Sequence, residues 1–113
     1  MKLVDKTITL QEIKTMSERA CGGLVKGVVD VSKDIMVLNA DLHADEEKYL
    51  LEHGSFQDNL WGINLYPDLP REQFIEFDSM INVRPRLHNR TRGIENKELQ
   101  NKIISIVNKL VIR

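Results

Sequence analysis

Cysteine is almost missing from this 113-residue chain: Cys21 stands alone, so no intrachain disulfide can form. A single thiol fits a reducing compartment, and the cytoplasm is the expected location. Aromatic residues are scarce at 5%, with one Trp, two Tyr and three Phe. That leaves little material for base-stacking platforms. No apolar run approaches the roughly 20 residues needed to span a bilayer, so no membrane insertion is expected. The opening MKLVDKTITLQEIK lacks the apolar core of a secretion signal. Asn89-Arg90-Thr91 matches a glycosylation acceptor, which without secretion has no consequence. Neither sign of charge dominates. The net charge is −1, so nucleic acid or an anionic membrane would have to be met by a local patch.

Reaction signatures are missing too. There is no HExxH helix and no pair of cysteines for a structural zinc site or a zinc deaminase. Gly22-Gly23 is not followed by the Gly-Lys-Ser/Thr of a phosphate loop, and no GxSxG elbow occurs. Cys21 sits near a helix C-terminus, at the negative end of its dipole, which disfavours a nucleophilic thiolate. No cofactor is expected.

What is present is an ordinary soluble composition, 42% hydrophobic and 29% charged. A chain of this length buries about two-thirds of its unfolded surface, enough for one core, so residues 1–113 are expected to form a single domain. Residues 2–8 lean towards an edge strand. Thr9 with Glu12 forms a capping box, and Ile8 with Ile13 is spaced as a hydrophobic staple. They open a helix over 9–21 with the stripe Leu10, Ile13, Met16 and Ala20. The two glycines end it. Residues 24–31 and 35–38 read as a hairpin turning at Ser32-Lys33-Asp34. A short helix is expected over 44–53, with Asp45, Glu46 and Glu47 in its first turn, where the dipole favours carboxylates. Strands follow over 60–66 and 74–83, joined by the turn 67–70. The second alternates, with Ile75, Phe77, Ile81 and Val83 on one side and Glu76, Asp78, Met80 and Asn82 on the other. Arg84 to Gly93 is a loop. Asn96 caps a final helix over 96–111 with the stripe Leu99, Ile103, Ile106 and Leu110. Met16, Met36 and Met80 read as packing residues, and Trp61 as a core or interface anchor.

These elements predict an α+β fold: an antiparallel sheet of four or five strands, two main helices packed on one face, and a short third helix. The remaining sheet face is polar, covered by the middle helix, or used for dimerisation.

Three constellations carry chemistry. The first is the loop Arg84-Pro85-Arg86-Leu87-His88-Asn89-Arg90-Thr91-Arg92, with four arginines and no acid. A guanidinium presents a planar fork of donors that matches two oxygens of a phosphate or carboxylate. Pro85 restricts itself and Arg84, so part of the loop is pre-shaped. Arg84, Arg86, His88, Arg90 and Arg92 are the ligand-binding candidates, with Asn89 and Thr91 as neutral donors. The competing reading is neutralisation by the segment 41–58. It carries six acids (Asp41, Asp45, Glu46, Glu47, Glu52, Asp58) and one lysine.

The second constellation is Glu76 and Asp78. At i, i+2 on a strand they share a face, and Asn64 joins it if the strands pair across the turn. Two nearby carboxylates divide acid and base roles or hold a divalent ion. A strand with its polar side in water has the same pattern. The third is Asp41, His43 and Asp45, a metal-binding set in extended geometry that a helix starting at Ala44 would break. Helix capping by Asp41 or Asp45 is the plainer account, and no metal site is assigned.

The strings LHADEEKYLLEHGS, LWGINLYP, IEFDSMINVRP and NRTRG resemble an uncharacterised family of small bacterial and archaeal proteins, a domain of unknown function. The resemblance runs from about Thr9 to Leu110. It implies a single-domain prokaryotic protein and supplies no activity, substrate or catalytic residue.

The leading functional expectation is therefore a binding or interaction module whose arginine loop meets an anionic ligand or an acidic partner surface. Nucleic acid is a weaker option, limited to phosphate contacts. One alternative is a small phosphate-ester hydrolase or ribonuclease-like enzyme using Glu76 and Asp78 with His43. Another is a self-associating structural protein, a homodimer in which the acidic segment of one copy meets the arginines of the other.

Overall fold

The computed structural model describes residues 1–19 and 21–113. Ala20, the expected end of the first helical stripe, and the thiol of Cys21 lie outside the described residues. Among the described residues three α-helices, a five-stranded antiparallel sheet and a small parallel pair make an α+β fold.

The local signals at the start of the chain act as read. Strand β1 (Lys2–Val4) runs antiparallel to residues 36–38 and forms one edge of the sheet. Thr9 Oγ1 accepts the Glu12 N–H at 3.1 Å, at the head of α1 (Leu10–Glu18). Gly22 and Gly23 follow at φ +82° and +68°, a region that costs a side-chain-bearing residue free energy. Strands β3 (Val25–Asp30) and β4 (Ile35–Leu38) form the hairpin. Its turn is tied by buried Asp30. One carboxylate oxygen accepts the amides of Ser32 and Lys33, and the other accepts the Ser55 hydroxyl at 2.6 Å.

Helix α2 spans His43–Glu52, starting one residue earlier than the sequence suggests. Leu42 occupies its cap position with no side-chain bond, so neither Asp41 nor Asp45 caps it. Strand β5 (Leu60–Leu65) pairs with β3 along its whole length, and all six of its residues are buried. Helix α3 (Lys97–Leu110) starts at Asn96, whose Oδ1 accepts the Leu99 N–H. The sequence pattern missed one pairing. Beyond α3, β7 (Val111–Ile112) returns parallel to β2 (Ile8–Thr9). Two-residue strands carry no periodicity of their own to read.

Alternate strand residues serve two apolar clusters. Val25, Val29, Met36, Leu38, Trp61, Ile63 and Leu65 cluster with Ile13 of α1 and Ile103, Ile106, Val107 and Leu110 of α3. Val28, Val37 and Leu60 cluster with Leu50 of α2.

The strand expected over 74–83 is largely absent. β6 is only Ile75–Glu76, the other sheet edge, in register with Leu65 and Asn64. After it the chain bends into a single 3₁₀ turn at Met80–Asn82, capped by the Ser79 hydroxyl. The alternation fails with it: Asn82 and Ser79 are buried, while Met80 is 66% exposed and so is not a core packing residue. The reason is a side chain that replaces a strand. Asn82 Oδ1 accepts the Gly62 N–H at 2.8 Å, and its Nδ2 donates to Gly62 O at 3.0 Å. The carboxamide thus pairs with β5 as a peptide group would, and β6 need not continue.

Candidate functional site

The arginine loop is a closed turn, not an open cradle. Arg84 and Asn89 form an isolated antiparallel bridge around the 3₁₀ turn Pro85–Leu87. Asn89, expected as a ligand donor, is buried and spent inside. Its Nδ2 reaches the carbonyls of Asn82, Thr91 and Gly93, and its Oδ1 accepts the Glu95 amide.

Three of the four arginines are matched to acids within the chain. Arg84 is 7% exposed. Its Nη2 donates to Glu47 Oε2 at 3.0 Å, and its guanidinium lies 4.9 Å from the centre of the Trp61 ring. Arg86 forks onto both oxygens of Asp58. That contact holds the Asp58 carboxyl below the usual carboxylate range. Arg92 Nε donates to Asp78 Oδ1 at 2.7 Å. Glu47 and Asp58 both belong to the acidic segment 41–58, so the complementarity visible in the sequence closes within one subunit. Arg90 and His88 are exposed and form no side-chain ion pair among the described residues, and His88 takes the left-handed conformation.

The carboxylate pair is brought to Asn64. Asn64 Nδ2 donates to Glu76 Oε1 at 2.9 Å and to the Asp78 carbonyl at 3.2 Å. The Tyr66 hydroxyl also donates to Glu76 Oε1, and partial burial together with this carboxylate raises the phenol pKa. His43 approaches from α2, with its Nε2 2.8 Å from the Ile63 carbonyl oxygen. Nε2 bonded to a carbonyl carries the proton, which leaves Nδ1 with the lone pair. Burial lowers the His43 pKa and Lys26 adds to this, against the Ile63 carbonyl and Asn64. Asp41 and Asp45 stay exposed and do not join it. Among the described residues no three His, Cys, Asp or Glu side chains converge as metal ligands do.

The sequence places Glu46 among the first-turn acids of the short helix, without marking it as buried. It is fully buried on α2, with Oε2 accepting the Ala40 N–H at 3.0 Å and Oε1 lacking any partner. Burial raises its pKa to about 9, against the pull of the Ala40 amide and Lys26. The neutral acid is therefore the form present at pH 7. A signal existed: Glu46 lies four residues before Leu50, hence on the same buried helix face.

Two open recesses flank these groups. One, about 420 Å³, is lined by Glu47, Met80, Val83, Arg84, Pro85 and Arg86 among others. Another, about 520 Å³, is lined by Arg19, Lys26, Asn39, Ala40 and Asp41 among others. No helix among the described residues is long and apolar enough to cross a membrane.

The chain belongs to the family described as "Protein of unknown function (DUF5674)", whose model matches residues 2–110. No curated protein and no solved structure matches it.

Proposed function

We propose that this member of the family is a binding module, and that its partner is a protein segment carrying an acidic side chain between apolar ones. The contact surface is the recess beside α2 and residues 80–86. One observation carries this reading: Arg84 is buried and held by Glu47 and Trp61, yet its Nη1 has no hydrogen-bond partner. A buried guanidinium with an unused donor is costly unless an acceptor arrives. Apolar surface stands ready around it. Met80 and Val83 line the recess, 66% and 37% exposed, and Phe56, next to the lining residue Gln57, is 74% exposed. Arg86 adds a second guanidinium, whose surface pair with Asp58 is weak enough to exchange for a ligand carboxylate.

Selection of a random peptide library on the wild-type protein is expected to enrich sequences with Asp or Glu flanked by apolar residues. Calorimetry with an enriched peptide should show at least tenfold weaker binding to Met80→Asp, a surface change that leaves the fold intact. Equal affinity for that variant, or enrichment without acids, overturns the reading. Reversible dimerisation lost in Met80→Asp would assign the same recess to a second copy instead.

A second reading, acid–base hydrolysis of a phosphate ester, draws support from one arrangement. His43, Glu76 and Asp78 gather around Ile63 and Asn64, with Arg92 on Asp78. It expects hydrolysis of p-nitrophenyl phosphate or of short RNA that falls at least a hundredfold in His43→Ala. Wild-type protein with no turnover of either substrate would remove it.

A further inference from the structure

The recess of about 520 Å³ lies apart from the arginine loop, and its lining differs in kind. Arg19 follows α1, Lys26 projects from β3 in register with Asn64, and Asn39 to Asp41 follow β4. Two cations and one acid face this space. Among the described residues neither Arg19 nor Lys26 forms an ion pair. Lys26 is half-buried, and its ammonium has no carboxylate partner among the described residues. An unpaired cation lining a recess is a ready contact for an anion.

The neighbouring carboxyl does not supply that anion. Glu46 sits behind Ala40, held by the Ala40 amide, and its burial keeps it protonated at neutral pH. A neutral carboxyl leaves Lys26 uncompensated. Two unspent cationic donors thus line one recess, the Lys26 ammonium and the Arg19 guanidinium.

We propose that this recess binds a small oxyanion, a phosphate or a carboxylate, with Lys26 and Arg19 as its cationic contacts. An oxyanion is the ligand class that accepts from both donors at once, and either chemistry satisfies them. The proposal stands independently of the partner surface beside Arg84, which shares no lining residue with it.

The test is titration of ¹⁵N-labelled protein with inorganic phosphate and, separately, with succinate. Chloride balances the ionic strength throughout. The expected result is saturable movement of the Lys26, Ala40 and Asp41 amide signals with one of the two. The ligand that saturates names the class. Lys26→Met should weaken that binding at least tenfold, and exposed Lys97→Met should leave it unchanged. Should Lys26→Met fail to fold, Arg19→Met, exposed and outside the sheet, gives the same readout. Linear, unsaturable shifts with both anions overturn the proposal, as does equal affinity in the folded variants.

Discussion

Glu46→Gln is expected to flatten the pH dependence of stability between about pH 4.5 and 9. Glu46 holds its proton in the folded protein up to about pH 9, because burial penalises the carboxylate. In the unfolded chain it titrates near the ordinary Glu value, so between the two the unfolded state carries fewer protons. Stability then falls as pH rises, by up to about 1.4 kcal/mol per unit from this group. The proton's contribution is complete below the unfolded pKa and is gone once pH passes the folded one. Between pH 4.5 and 7 the loss amounts to about 3 kcal/mol, a sizeable share of the 5–15 kcal/mol typical of a domain.

Other groups slope against it. Asp58, held low by Arg86, loses its stabilising ionised form in acid, and neutral His43 resists protonation there. The informative quantity is therefore the difference between Glu46→Gln and wild type, measured by urea unfolding at each pH. Gln keeps the shape and an oxygen for the Ala40 amide, and it has nothing to titrate. The variant should match wild type near pH 4.5 and exceed it increasingly above pH 6. Parallel pH profiles would mean that Lys26 and the Ala40 amide hold Glu46 ionised in the folded state.

What the sequence revealed and what it hid divide along physical lines. Thr9 and Asn96 act within one helical turn of the residues they cap, and a local interaction needs no knowledge of the fold. The hairpin of β3 and β4 is likewise close in sequence and mostly apolar. The charge complementarity between 41–58 and 84–92 was readable as a sum. Its distribution was not, because burying Arg84 against Trp61 depends on where β5 passes. Glu46 was hidden for the same reason. Its face was inferable from Leu50, but the sheet that shuts out water from it was not. The alternation over 74–83 misled because it set Asn82 among the outward polar residues and gave no part to Ser79. Both turn inward to β5, where Gly62 leaves room. A Cβ on Gly62 would come within 2.5 Å of the Ser79 Cβ.

The same contact yields the largest mutational effect expected outside the apolar core. Asn82 is fully buried, and its carboxamide makes three hydrogen bonds: from the Gly62 N–H, to the Gly62 carbonyl and to the Arg92 carbonyl. Gly62 pairs with Val28 on one side, but β6 reaches only as far as Asn64 on the other. Without Asn82 the outward N–H and C=O of Gly62 lie buried and unpaired, and each such group costs about 1–3 kcal/mol. Asn82→Leu is therefore expected to lose about 3–5 kcal/mol, seen as a fall of more than 10 °C in melting temperature. Asn82→Asp should fare no better. A carboxylate accepts from the Gly62 N–H but faces two carbonyl oxygens with nothing to donate. Hydrogen exchange separates this account from simple loss of packing. The Gly62 amide should be strongly protected in wild type and should exchange far faster than its β5 neighbours in either variant. A Gly62 amide that stays as protected as Ile63 would mean that the backbone of residues 79–83 had closed onto β5 by itself. The interrupted strand would then owe nothing to the Asn82 side chain.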